Sequence, residues 1–129
     1  MNKPVRVLLI EDDPNYVALV QQWFSHGTES AFVLHWTDSL QAGLIHLQRG
    51  GVDVILLDLG LPDSGGFETF SKIKRQAVGV PLIVMSGDNS EQLAFQLARA
   101  SAHEYVIYKS SSNGESLAKA IQYAVARAN

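Results

Sequence analysis

The 129-residue chain is 47% hydrophobic and 18% charged, the proportions of a globular domain rather than a disordered one. Its net charge of −3 supplies no electrostatic reason to bind nucleic acid, and the absence of cysteine excludes disulfides, zinc–thiolate centres and thiol nucleophiles. No apolar run reaches the roughly 18–20 residues that span a bilayer, and Met1-Asn2-Lys3-Pro4 enters a strand-like segment without a signal-peptide core, so the expectation is one soluble, cytoplasmic domain over residues 1–129 with no membrane partner.

Val5–Ile10 reads as a first strand, closed by the acidic cluster Glu11-Asp12-Asp13. Asp13 is placed to cap a helix with proline at its first position, Pro14, an apolar stripe of Tyr16, Val20, Trp23 and Phe24, and a stop at Gly27. Ala31–Thr37 is the second strand; Ser39 then leads into Leu40, Leu44 and Leu47, and Gly50-Gly51 ends that helix. The third strand, Val52–Asp58, is followed by Gly66 and a helix through Phe67, Phe70 and Ile73, whose Lys72, Lys74 and Arg75 form a solvated basic end. Val80–Met85 is the fourth strand, with Ser86-Gly87 after it, and Asp88 or Ser90 starts a helix through Leu93, Phe95, Leu97 and Ala98. Tyr105–Tyr108 is the fifth strand, Lys109 follows it, and Ser112 or Asn113 opens a last helix carrying Leu117, Ile121, Ala124, Val125 and Arg127.

The first, third and fourth strands lack polar alternation, as strands covered on both faces do. Alternating βα units with short connections then predict right-handed crossovers and a doubly wound parallel α/β sheet, (βα)5, whose crevice lies at the carboxyl ends of the strands. Glu11, Asp12, Asp13, Asp58, Ser86 and Lys109 all fall at that rim. Carboxylates gathered there repel one another unless a proton or cation joins them, which suits a hard divalent ion such as Mg²⁺ beside a nucleophilic carboxylate. Each feature has a plainer explanation alone: helix capping for the acidic triplet, a turn for Asp58 or Ser86, a solvated lysine for Lys109. The histidines His26, His35, His46 and His103 lie on different elements without ligand spacing, and Trp23, Trp36 and Phe24 read as core or interface.

Val7-Leu8-Leu9-Ile10-Glu11-Asp12-Asp13-Pro14, Val54-Ile55-Leu56-Leu57-Asp58-Leu59-Gly60-Leu61-Pro62-Asp63-Ser64-Gly65-Gly66, Pro81-Leu82-Ile83-Val84-Met85-Ser86-Gly87 and the later Lys109 together resemble the receiver domains of two-component response regulators, of the bacterial chemotaxis regulator type, over essentially the whole chain. The resemblance implies the flavodoxin-like strand order 2-1-3-4-5. It implies Asp58 as phosphoacceptor and metal ligand, Glu11 and Asp12 as the acidic pair on Mg²⁺ with Asp12 the direct ligand, and the Gly60 backbone carbonyl as a further ligand. It gives the phosphoryl oxygens to the Ser86 hydroxyl, amides near Leu59 and Gly87, and the Lys109 ammonium. The chemistry asks for these groups on its own account: a carboxylate can attack phosphorus, but the negative charge brought into an acidic pocket must be offset by cations and oriented donors.

By the same resemblance the domain is a switch rather than an enzyme with a separate substrate, catalysing only its own aspartyl phosphorylation and dephosphorylation. Its donor would be a sensor histidine kinase, a phosphotransfer protein or a small phosphodonor, and its output face would comprise the fourth helix, fifth strand and fifth helix. That face would serve an output module or homodimer, with Tyr108 and Tyr123 as exposed contacts. The expectation is a single receiver domain without an output domain in this chain; the fifth helix resembles the end of receivers that precede sensory, kinase or cyclase modules, so an excised domain is expected over a free-standing one.

Two places depart from the receiver pattern. Ser110 stands where proline in a cis bond usually follows the lysine. Val106 stands three positions before Lys109, where many receivers carry an aromatic switch residue; either Tyr105 fills that place through a bulge or signalling takes another route. Three rivals share parts of the pattern. A flavodoxin-like FMN protein should have a Ser, Thr and Gly-rich loop after the first strand, and a haloacid-dehalogenase-type phosphatase a second aspartate where Gly60 stands. A degenerate receiver would dock proteins without phosphorylation.

Overall fold

Every residue of β3 (Val54–Asp58) and β4 (Leu82–Ser86) is buried, as are the last four of β1 (Val5–Ile10). Apolar side chains alternate between opposite faces of a strand, so strands of this kind hide both sides only between layers of helix. The computed structural model, which describes residues 3–25, 32–87, 96, 99 and 105–128, has that arrangement. With β2 (Phe32–Thr37) and β5 (Tyr105–Tyr108), these strands form one sheet in the order β2-β1-β3-β4-β5, and every neighbouring pair is parallel.

Two apolar layers flank the sheet. On one face Leu8, Ile10, Ile55, Leu57, Leu82 and Val84 meet α2 (Leu40–Gln48) and α3 (Gly66–Gln76) through Leu40, Leu47, Phe70 and Ile73. On the other, Val7, Leu9, Val54, Leu56, Ile83 and Met85 meet α1 (Pro14–Ser25) and the C-terminal helix (Gly114–Ala128) through Tyr16, Val17, Val20, Leu117 and Ile121. Gly43 lets α2 lie close to the sheet, since a Cβ there would sit 2.5 Å from Ile10 Cδ1. None of the described helices is long and apolar enough to cross a membrane.

The helix starts follow their caps. Asp13 Oδ1 accepts from Asn15 N at 3.0 Å, and Ser39 Oγ accepts from Ala42 N at 3.1 Å. Of the two candidates for the last cap, Asn113 holds the place: its Oδ1 accepts from Ser116 N at 2.8 Å while Ser116 Oγ accepts from Asn113 N at 2.9 Å, a reciprocal box. Gly50 and Gly51 end α2 at φ 77° and 78°, a left-handed stretch that favours glycine.

Two strands begin later than predicted. β3 starts at Val54 because Asp53 is turned onto Arg6, accepting from its backbone N at 2.8 Å and from its guanidinium at 3.1 and 3.2 Å. β4 starts at Leu82, since Pro81 has no N–H for a ladder and Val80 N closes a turn on Ala77 O, and it runs on to include Ser86. Ala31, the Gly27 stop, His26 and His103 lie outside the described residues, as do Asp88, Ser90, Leu93, Phe95, Leu97 and Ala98 of the fourth predicted helix; Gln96 and Arg99 within it are helical.

Asp63, five residues beyond the end of β3, caps a different element. Its Oδ1 and Oδ2 accept from Leu40 N at 2.8 Å and Gln41 N at 3.0 Å at the start of α2, and those donors hold its carboxyl below the usual carboxylate range. A carboxyl depressed on folding contributes stability that is present above its unfolded pKa and lost as pH falls through the folded value. Asp63→Ala therefore lowers the unfolding free energy at pH 7 by about 1 kcal/mol in urea titrations, and the difference shrinks on acidification; equal stability of the two proteins at pH 7 would contradict the cap.

Candidate functional site

Parallel pairing sets Ile10 beside Leu57 and Asp58 beside Met85, so the residues that end these strands reach one rim. The chain leaves β1 at Glu11, whose backbone is held on both sides by β2: Glu11 N donates to Thr37 O at 3.0 Å, and Trp36 Nε1 donates to Glu11 O at 2.7 Å. Asp13 N donates to Glu11 Oε2 at 3.2 Å, folding the side chain back over the loop. Glu11 is fully buried and Asp58 is 7% exposed, while Asp12 is exposed. Carboxylate oxygens of these three residues lie within 4.8 Å of one another.

Lys109 enters this cluster from the end of β5. Its ammonium pairs with Glu11 Oε1, lies 3.6 Å from Asp58 Oδ2 and sits 4.6 Å from the centre of the Tyr16 ring. Burial and the adjacent Asp58 carboxyl push the Glu11 pKa up to about 7, against the opposing pull of Lys109. Burial also acts to lower the Lys109 pKa, but the carboxylates around it outweigh that and raise it. The cluster thus holds more acid than its single lysine neutralises.

The loop after Asp58 is fixed by its own contacts. Gly60 N donates to Asp58 Oδ1 at 3.3 Å, and Gly66 N donates to Leu59 O at 3.0 Å. Gly60–Leu61 and Ser64–Gly65 form a small antiparallel ladder, and the buried Thr69 hydroxyl lies 2.9 Å from Ser64 Oγ. Ser86 is 4% exposed at the last position of β4 and is followed by exposed Gly87. All the residues expected at the site therefore lie at the carboxyl rim, with Glu11, Asp12, Asp58 and Lys109 in one cluster and Leu59, Gly60, Ser86 and Gly87 on the adjoining strand ends.

Beyond Lys109 the structure resolves what the sequence left open. No cis peptide bond occurs among the described residues; the Lys109–Ser110 bond is trans, and Lys109–Ser111 forms a 3₁₀ turn. The β4–β5 register runs Ile83–Tyr105, Val84–Val106, Met85–Ile107 and Ser86–Tyr108 without a bulge, so Val106 keeps its place and packs against the α2–α3 layer. Tyr108 is half-buried rather than exposed, because its strand has the sheet on one side, whereas Tyr123 is 59% exposed.

Sequence reasoning missed Tyr16 and Trp36 as neighbours of the site. Both sit in apolar sequence patterns, and a polar tip on an apolar side chain at a strand end or in a first helical turn is the available signal. His35 and His46 lie on different elements, as the sequence indicates, and their rings meet 5.0 Å apart across β2 and α2.

The strand order, with its acidic rim between β1 and β3, defines a flavodoxin-like α/β domain whose crevice sits at the topological switch point. The chain belongs to the response regulator receiver domain family, which it matches over residues 7–122. It is 30% identical over 86 residues to the transcriptional regulatory protein CiaR of Streptococcus pneumoniae, covering 67% of this chain and 37% of CiaR. It is 29% identical over 109 residues to the methanogenesis regulatory protein FilR1 of Methanothrix harundinacea, covering 82% of this chain and 24% of FilR1. The chain thus spans well under half the length of these relatives. Its fold is that of a CheY-like receiver domain protein from Methanospirillum hungatei JF-1, at TM-score 0.83 and 21% identity over 98% of this chain and 97% of that one. The phosphorylated cyanobacterial phytochrome response regulator RcpA is also similar, at TM-score 0.73 and 22% identity over 97% and 91% of the two chains. The chain is accordingly a receiver domain of the two-component signalling type.

A carboxyl whose pKa is raised on folding contributes stability that is present below its unfolded pKa and lost as pH rises through the folded value. For Glu11 that window runs from the ordinary carboxylate range up to about 7. In metal-free protein, the stability of the wild type minus that of Glu11→Gln, measured by urea unfolding, falls between pH 5 and pH 8. A constant difference would show that Glu11 is not held in this way.

Proposed function

We propose that this domain, over residues 1–129, is the phosphoacceptor switch of a cytoplasmic two-component phosphorelay. It takes a phosphoryl group onto Asp58 from the phosphohistidine of a sensor histidine kinase or phosphotransfer protein, or from a small phosphodonor, with Mg²⁺ bound. The observation that carries this reading is the convergence of Glu11, Asp12 and Asp58 within 4.8 Å at a largely buried rim that holds one lysine. Burying carboxylates is costly, and a surface that only docked proteins would have no use for it.

The residues fit Mg²⁺. The donors are all hard oxygens, the buried Glu11 Oε1 has only the Lys109 ammonium, shared with Asp58, beside it, and the cluster carries uncompensated negative charge. Glu11, Asp12, Asp58 and the Gly60 carbonyl would hold the ion, which when bound neutralises charge shared between the carboxylates and the phosphoryl oxygens.

The chain's own groups then divide the work. A carboxylate oxygen of Asp58 forms the new bond to phosphorus while the bond from phosphorus to the donor breaks and its electron pair leaves with the donor. Gly60 N on Asp58 Oδ1 fixes the rotation of that carboxylate. Lys109, 3.6 Å from Asp58 Oδ2, offers a compact positive charge to the incoming oxygens, and Ser86 with the amides of Leu59 and Gly87 would bind the rest. The change would be read by a partner, an attached output module or a second copy at the face made by the fourth helix, β5 and the C-terminal helix, where Tyr123 is exposed. With Val106 on β5, that reading would not use an aromatic rotamer at this position.

Incubation with acetyl phosphate and Mg²⁺ should add one phosphoryl group to the intact mass, and either EDTA or Asp58→Asn should reduce incorporation to background. Undiminished incorporation in the Asp58→Asn protein, or without divalent metal, would contradict the reading.

A further inference from the structure

We infer that Tyr16 is a positioning residue for Lys109: its ring seats the ammonium at the phosphoryl site and its hydroxyl ties down the turn that carries the lysine. The inference rests on the phosphoacceptor reading above and names a residue of α1 that lies outside the acidic and phosphate-binding groups already placed.

Lysine has a flexible four-carbon stem and a strongly hydrated head, so beside open solvent it ordinarily swings outward. Lys109 does not. Its side chain is 20% exposed, and the ammonium lies 4.6 Å from the Tyr16 ring centre, within the roughly 6 Å range over which a ring face attracts a cation. The ring cannot easily yield, because Tyr16 is 8% exposed and meets Trp23 edge to face with centroids 6.2 Å apart. Glu11 and Asp58 draw the ammonium from one side while the ring supports it from another.

The hydroxyl end of Tyr16 reaches the same lysine by a second path. Ser112 Oγ donates to Lys109 O at 3.1 Å, which commits its one hydrogen. With that hydrogen on Lys109 O, the 3.3 Å contact between Tyr16 Oη and Ser112 Oγ is made when Tyr16 O–H donates to Ser112 rather than to Met85 Sδ at 3.8 Å. Burial raises the Tyr16 pKa, so the phenol keeps this proton at neutral pH. Ser110 gives the turn no proline ring to restrain it, and the link from Tyr16 through Ser112 to the Lys109 carbonyl supplies a restraint of another kind. One side chain on α1 thus holds both ends of Lys109.

The test measures beryllofluoride affinity in the presence of Mg²⁺ by tryptophan fluorescence, for Tyr16→Leu, Tyr16→Phe and Lys109→Met singly and in combination. Tyr16→Leu should weaken binding roughly three- to tenfold, the range of a partly desolvated cation–π contact, while Tyr16→Phe, which keeps the ring and loses only the hydroxyl link to Ser112, should lose about twofold. In the Lys109→Met background the Tyr16→Leu substitution should change affinity by less than about twofold, because two residues acting through one contact are not additive. Equal losses from Tyr16→Leu with and without Lys109 would reduce Tyr16 to a packing residue, and equal losses in the Leu and Phe variants would take the ammonium seat away from the ring. Failure of the wild-type protein to bind beryllofluoride would overturn the phosphoacceptor reading itself; binding by the wild type with no loss in Tyr16→Leu would overturn this inference alone.

Discussion

Glu11 is fully buried beside Asp58 and Lys109, and much of the rim follows from what that burial demands. A carboxylate shut away from water needs a proton, a cation or several donors. Glu11 has one amide donor, from Asp13, on Oε2, and a lysine shared with Asp58 on the other oxygen. Its pKa near 7 expresses the shortfall: the cluster is balanced only when something positive joins it. On the proposed reading, the same shortfall that costs stability in the metal-free protein would favour a bound cation.

The scaffold around the cluster keeps it from relaxing. Glu11 is held at both its N–H and its carbonyl from β2, so the β1–α1 loop cannot swing the carboxyl into solvent. The segment after Asp58 is anchored through Leu59 O to Gly66 and through Asp63 to the start of α2, which links the Asp58 loop to a helix on one face of the sheet. Tyr16 links Lys109 to a helix on the other face. The site is therefore fixed from both layers, the arrangement in which preorganised charge does most for a reaction.

The strand order, the two-layer burial and the position of the rim were legible because they rest on unbroken apolar runs and on carboxylates at strand ends, which are local and periodic signals. Strand starts at residues 52 and 80 were misjudged, since an aspartate captured by Arg6 and a proline turn leave the apolar pattern unchanged while ending the ladder. The contacts of Tyr16, Trp36 and Asp63 were not legible. Each joins elements more than twenty residues apart, and each depends on which way a polar tip turns once packing has fixed its stem. Asp63 fell within the motif that carried the resemblance, yet its work is to cap another helix.

The account stands or falls on whether the buried acid cluster exchanges its proton for a metal ion. The direct measurement is calorimetric titration of the protein with Mg²⁺ in buffers of different ionisation enthalpy, which reports the protons released per ion bound. With the Glu11 pKa near 7, binding at pH 7 should release about half a proton, and the release should fade as pH rises toward about 9. Absence of Mg²⁺ binding, or binding with no proton release near pH 7, would contradict the account.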